Sequence, residues 1–369
     1  MRIGVVGASG LAILLALTTA PATAAPAAPA SETLFTLTDP RLDELSGLAV
    51  GRRNPGLLYA QNDSGDAARF FALDARTGQV RAVCDVPDAT NHDWEDLATG
   101  PSATGQPSVW LADIGDNSRE RSQVELYRVD EPAVSAGSCP VGPPQIWRLR
   151  YPDGAHDAES LIVDPTRHRA YLVTKELLGH SEVFAIPAEP AAGVQTMVDI
   201  GSIQFRLTGT AGGPNPVGEL TATGASMSAD GRLLAIRTYT DAYLWPVTGG
   251  DIATALTHEP TVLPLPVQPQ GEGIAIDGGR LLTDSEKVGS TVSAVPIPAA
   301  VLTPPRLTVT PTPAPTRAAP ATSASDQPSS APQPETAASN NKDLLGAVAL
   351  IAVLGAALAL GRRRRGSRH

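Results

Sequence analysis

Two cysteines, Cys84 and Cys139, and six histidines are all that this chain of 369 residues contains. No tight His/Cys set accompanies His92 or His156, so the ligand spacing of a zinc site is missing and zinc is a poor candidate. A Gly-x-Ser-x-Gly elbow is also missing, and no Ser/His/Asp set can be nominated from spacing, which disfavours a conventional serine esterase. Between residues 33 and 300 no stretch holds a 3.6-residue apolar period, so a helical body is excluded. Basic residues are scarce where they would matter. Of 28 Lys+Arg, Arg2 and five tail arginines lie at the two ends, leaving 22 against 38 Asp+Glu in the exported segment. Such a surface repels nucleic acid and anionic lipid and favours cations.

Long apolar runs are absent from the body and occur only at the ends. Arg2 followed by the largely apolar Ile3–Leu17 and by Ala22-Thr23-Ala24 reads as a signal peptide over 1–24. Leu344–Leu360 carries no charge and runs straight into Arg362-Arg363-Arg364-Arg365. At about 1.5 Å per residue it spans roughly 25 Å, the short end of a bilayer crossing, and the arginines place the tail 361–369 in the cytoplasm. Residues 303–342, dominated by Pro, Thr, Ser and Ala, read as an extended stalk. The expectation is an exported domain held outside the cell by a single-pass transmembrane helix. Sortase attachment to the wall is the weaker alternative, because Gln333-Pro334-Glu335-Thr336-Ala337 has the place but not the standard spelling of a sorting motif. An even cysteine count in an exported domain predicts one disulfide, Cys84–Cys139.

What is present in the body is a repeat. A polar turn leads into an apolar run at Ser46-Gly47-Leu48-Ala49-Val50, Glu95-Asp96-Leu97-Ala98, Glu159-Ser160-Leu161-Ile162-Val163, Ala225-Ser226-Met227-Ser228 and Glu272-Gly273-Ile274-Ala275-Ile276. Short strands follow each copy, and such a period marks an all-β propeller over residues 33–300 with one blade per repeat. Five blades fit the count better than six. The long intervals leave room for a degenerate sixth around 200–222, but Gly212-Gly213, Pro214 and Pro216 there read better as a loop. The last repeat has three strands, and Leu34-Phe35-Thr36-Leu37 at the N-terminus is the expected donor of its fourth. In the third repeat the outer strand is expected at Thr196–Ile203.

In a propeller, residues just before the first strand and just after the second meet at one mouth of the central channel. The first set holds Glu44, Asp93, Glu95, Asp157, Glu159 and Glu272. The second holds Asn62-Asp63-Ser64-Gly65-Asp66, Asp113-Ile114-Gly115-Asp116-Asn117, Lys175-Glu176, Arg237-Thr238-Tyr239 and Asp284-Ser285-Glu286. Packed carboxylates repel one another unless a cation intervenes. Asp63, Asp66, Glu95, Asp113, Asp116, Asn117, Glu159 and Glu272 are therefore candidate ligands for calcium, whose shell is built of oxygens. The competing reading makes Glu95, Glu159 and Glu272 acceptors for backbone N–H groups of the neighbouring blade, and the two Asp-rich loops ordinary turns. Lys175, Arg237, Tyr239 and Glu286 are candidate ligand-binding residues. The two cations either pair with the facing carboxylates or anchor an anionic group such as phosphate.

The series Glu44-Leu-Ser-Gly-Leu-Ala, Asn62-Asp-Ser-Gly-Asp, Asp93-Trp-Glu-Asp-Leu-Ala, Asp113-Ile-Gly-Asp-Asn, Asp157-Ala-Glu-Ser-Leu and Gln270-Gly-Glu-Gly-Ile-Ala resembles a group of exported actinobacterial propellers. These are similar to the propellers labelled "esterase-like activity of phytase". The resemblance covers about residues 38–298 and implies a secreted propeller whose acidic mouth holds calcium and a phosphorylated substrate. It supplies no catalytic set to transfer. The fourth repeat departs from it, with Ala225 where three others have Glu. Two functions follow. One is a stalked surface module binding a small molecule, glycan or protein at the mouth without catalysis. The other is a metal-dependent, phytase-like phosphoesterase in which metal-bound water attacks an extracellular phosphoester.

Overall fold

The computed structural model describes residues 30–302. The signal segment 1–24, the stalk 303–342, the apolar run 344–360 and the tail 361–369 lie outside the described residues. Among the described residues no helix is long and apolar enough to cross a membrane.

Strand β1 (Glu32–Thr36) opens the domain. Blade 1 follows as β2 (Leu45–Val50), β3 (Leu57–Asn62), β4 (Arg69–Asp74) and β5 (Val80–Asp85). Blade 2 is β6 (Trp94–Pro101), β7 (Pro107–Asp113), β8 (Val124–Asp130) and β9 (Gln145–Arg150). Blade 3 is β10 (Ala158–Asp164), β11 (Arg169–Thr174) and β12 (His180–Ala185), then β13 (Val194–Thr196) and β14 (Val198–Gln204). Blade 4 is β15 (Ala222–Met227), β16 (Leu233–Thr238), β17 (Asp241–Pro246) and β18 (Thr261–Pro264). Blade 5 is β19 (Ile274–Asp277), β20 (Arg280–Thr283) and β21 (Thr291–Pro296). Among the described residues the sheets number five, and the segment 205–221, where a degenerate sixth had room, is a loop with a 3₁₀ turn at Gly218–Leu220, as its Gly and Pro residues suggested.

The ring closes as the sequence predicts. β1 pairs antiparallel with β21, Phe35 opposite Val292 and Thr36 opposite Thr291, so the first strand of the chain completes the last blade. One departure concerns the outer strand of blade 3. The expected run is split, because β13 leaves its own blade to pair in parallel with β9 of blade 2, and β14 alone completes blade 3. Blade 2 thus gains a fifth strand.

The apolar residues sort into five clusters, each filling the space between two adjacent blades. Inner strands are buried on both faces, which is why they read as apolar runs instead of alternating. All four tryptophans are buried in these seams: Trp94 between blades 1 and 2, Trp110 and Trp147 between 2 and 3, and Trp245 between 3 and 4. Cys84 on β5 and Cys139 in the β8–β9 connection form the expected disulfide, with Cα atoms 5.0 Å apart, and tie blade 1 to blade 2. The bridge closes a long loop (55 residues of separation), so replacing both cysteines with serine is expected to cost about 3–4 kcal/mol. Calorimetry should then show a melting temperature lower by roughly 6–15 °C. An unchanged melting temperature would mean that the seam holds without the bridge.

Candidate functional site at the acidic channel mouth

Each of the first four inner strands begins with a register shift against its neighbour. The breaks fall at Leu45/Gly47, Trp94/Asp96, Ala158/Ser160 and Ala222/Gly224. The extra residue at each break is Ser46, Glu95, Glu159 or Thr223, so a bulge sits at the same position in each of these four blades. This corrects the alignment of the fourth repeat. Thr223, not Ala225, stands at the glutamate position, and Ala225 matches Leu97 and Leu161. The two hydroxyls staple forward to the next blade: Ser46 Oγ donates to the Glu95 carbonyl at 2.5 Å and Thr223 Oγ1 to the Gly271 carbonyl at 3.0 Å.

The next position along is Gly47, Asp96, Ser160, Gly224 and Gly273. Only blade 2 carries a large side chain there, and Asp96 lies across the channel. Its carboxylate accepts the backbone N–H of Leu97 at 2.8 Å, of Leu161 at 2.8 Å and of Ala225 at 3.1 Å, joining blades 2, 3 and 4. Gly47 makes room for this: a Cβ there would stand 2.5 Å from the Leu97 nitrogen and 3.1 Å from the Asp96 carbonyl carbon. Burial pushes the Asp96 carboxyl well above the usual range, against the pull of those three N–H donors. The backbone staple expected of Glu95, Glu159 and Glu272 is therefore made by Asp96, which sequence reasoning passed over inside an apolar-looking run. Its signal was to be the one acid in a column of Gly and Ser.

Arg237 on β16 is fully buried, and its guanidinium spends every N–H on protein acceptors. Nε donates to the Thr238 carbonyl (3.1 Å), Nη1 to the carbonyls of Gly273 (2.7 Å) and Asp284 (3.2 Å), and Nη2 to the Tyr239 carbonyl (3.3 Å) and Gln268 Oε1 (3.2 Å). Burial pulls it down to about 10, offset by the charges of Asp284 and Glu272. It locks blade 4 to blade 5 and has no donor left for an incoming anion.

Lys175, at the end of β11, pairs with Glu159 Oε1 and lies 5.6 Å from the centre of the Tyr239 ring. Its charge is felt by Glu95, Asp157 and Glu272 as well, so one ammonium serves carboxylates from several blades. Glu159 Oε2 and Glu272 Oε2 are buried and have no hydrogen-bond partner. Tyr239 is almost fully buried, and burial with the charges of Glu272 and Glu95 raises its phenol. Glu286 accepts from Gln270 and stands within hydrogen-bonding reach of the carboxyls of Glu44 and Glu272. Glu44, Asp63 and Glu286 each place one carboxylate oxygen within 4.8 Å of the others. At the neighbouring blade, Gly115 of the Asp-Ile-Gly-Asp-Asn loop lies against the carboxylates of Asp93 and Glu95. A Cβ there would come within 2.5 Å of Asp93 Oδ2.

The remaining sequence candidates lie beside this group, engaged in local structure. Asp66 pairs with Arg69 at 2.6 Å and accepts from Asn62 Nδ2. Asp113 takes the backbone N–H groups of His92 and Asp93 and pairs with Arg121 at 2.8 Å. Asp116 accepts the backbone N–H groups of Glu120 and Arg121, and Asn117 is exposed. A cavity of about 600 Å³ opens at the other end of the inner strands and is lined by Arg52, Arg232, Val247 and Leu302 among others.

The electrostatics give a direct expectation. Burial, then neighbouring charge, raises Asp93, Glu95 and Glu272, and Asp284 and Glu286 are each pushed up to about 7. A carboxyl raised by folding binds its proton more tightly in the native state, so its contribution is complete below its unfolded pKa and declines as pH rises toward its folded one. In chelator, the melting temperature should therefore fall between pH 5 and pH 7.5. Carboxyls lowered by folding, such as Asp39 and Asp74, act below this window. A melting temperature that rises across it would contradict a charge-strained mouth.

No protein-family model and no curated protein matches the chain. Among solved structures it is similar to a glucose dehydrogenase, at 12% identity and TM-score 0.40 over 73% of this chain and 100% of that one. A soluble aldose sugar dehydrogenase from Escherichia coli aligns at 13% and 0.38, over 72% and 99%. A Swd1 β-propeller domain from Myceliophteria thermophila aligns at 12% and 0.34, over 68% and 83%. Likeness at these scores carries no functional weight.

Proposed function

We propose that this propeller is a surface-displayed binding module that holds a divalent cation, calcium, at its acidic mouth and engages a small molecule, glycan or protein there. The observation that carries this reading is the pair of buried, unpartnered oxygens, Glu159 Oε2 and Glu272 Oε2, in a cluster where Lys175 is shared among carboxylates of several blades. A buried carboxylate oxygen without a partner costs free energy unless a cation or proton satisfies it. The donor set is all oxygen and drawn from several blades, which suits calcium better than zinc. The same reading agrees with what the resemblance to exported actinobacterial propellers implies. Display outside the cell on a stalk and a single-pass anchor is the part of the proposal that rests on sequence order alone.

The phosphoesterase alternative needs cations free to hold phosphate. Full occupation of the Arg237 donors and the Lys175–Glu159 pair favour binding over it. Calorimetric titration of calcium into the chelator-treated chain tests the proposal. Saturable binding, weakened at least about tenfold (~1.4 kcal/mol) in Glu272→Gln, is expected. Absence of binding, or equal binding by the variant, would return the cluster to a set of shared protons.

A further inference from the structure

A second group of ligating side chains sits outward from the axis on blade 3. His156, in the connection from β9 to β10, is held between two rings, with centroids 4.9 Å from Tyr151 and 5.5 Å from Phe184. Its Nε2 lies 3.0 Å from Asp153 Oδ1. Its Nδ1 is buried, makes no hydrogen bond and faces Glu182 Oε2 at 3.5 Å. With the ring proton on Nε2 toward Asp153, the Nδ1 lone pair is aimed at a second carboxylate oxygen. Two acceptors facing each other repel unless something positive lies between them. The span fits a metal: two ligands at about 2.0–2.1 Å on a tetrahedral centre stand roughly 3.4 Å apart. One ligand atom from each of Asp153, His156 and Glu182 lies within 4.8 Å of the others. The hydroxyl of Tyr151, a residue only 6% exposed, is also buried without a partner beside this ring, and Asp153 and Asp157 are among the charges it feels.

We propose that His156 and Glu182 bind a divalent transition ion of the zinc class, with Asp153 holding the imidazole as the outer carboxylate. An imidazole nitrogen selects such ions over calcium, so this site differs in kind from the all-oxygen mouth and stands independently of it. Two protein ligands leave coordination positions open to water or to a donor from a partner. Sequence reasoning set zinc aside because no His/Cys set accompanies His156. The set is completed by a carboxylate three residues earlier and by another across the sheet.

Cobalt(II) serves as the probe, titrated into the chelator-treated chain and followed by its visible absorption. Saturable binding is expected in the wild type and in Glu272→Gln, unaffected by excess calcium. It should be lost in His156→Gln and weakened at least tenfold in Glu182→Gln. The Glu182 side chain is 31% exposed, so that variant should keep the wild-type melting temperature. Asp153→Asn should weaken binding about tenfold through the ring it orients. A wild type that binds no cobalt, a His156→Gln variant that binds it equally, or displacement by calcium would each overturn the proposal.

Discussion

Asp96→Ala is expected to destabilise the domain by about 3–5 kcal/mol, the cost of leaving several buried backbone donors without their acceptor. One carboxylate serves the N–H groups of three inner strands, and the substitution leaves those of Leu161 and Ala225 without the acceptor they share. The facing positions are Gly47, Ser160, Gly224 and Gly273, and none of them carries a carboxylate to take its place. Against a typical total of 5–15 kcal/mol this is a large fraction, so much of the variant should be recovered unfolded. Asp96→Asn keeps one oxygen but turns an NH₂ toward donors, and should retain only part of the stability. Urea unfolding measures both. A loss below about 1 kcal/mol for Asp96→Ala would mean that water replaces the carboxylate in the channel.

Arg237→Met is expected to be comparably severe, at about 3–5 kcal/mol. Methionine fills much of the volume but leaves the carbonyls of Thr238, Gly273, Asp284 and Tyr239 without the donors they share, in a fully buried seam. It also removes the positive charge that holds down Asp284, so that carboxyl should rise further above about 7. Arg237→Lys offers fewer donors in the wrong geometry and should recover little. Denaturant melts distinguish this from the sequence-level alternative. A phosphate anchor would leave Arg237→Met folded as stably as the wild type, with only anion binding lost.

The ring was legible because each inner strand is buried on both faces and follows a polar turn, which makes the repeat visible without alternation. The closing strand and the disulfide were legible for related reasons: a blade short of one strand needs a donor, and an even pair of cysteines behind an expected signal peptide suggests a bridge. β13 was not, since three residues paired in parallel with another blade carry no local signal. The fourth repeat was misaligned because Ala225-Ser226-Met227 looks like a motif start, while the bulge that marks the true equivalent is a property of pairing. Convergence at one mouth could be reasoned from topology, yet the roles within it could not. Whether Arg237 faces a ligand or five protein acceptors depends on backbone carbonyls of blades 4 and 5, which have no signature in residue type. The His156 set was hidden for the same reason, its Glu182 lying on β12 across the sheet.

The central claim is that the mouth is strained by charge until a cation relieves it. The most direct test is the melting temperature of the chelator-treated chain, with and without millimolar calcium, at pH 7.5 and at pH 5. The account predicts that calcium raises it clearly at pH 7.5, and that the gain shrinks at pH 5 as protons take the ion's place on Glu286 and its neighbours. Equal melting temperatures with and without calcium at pH 7.5 would contradict it.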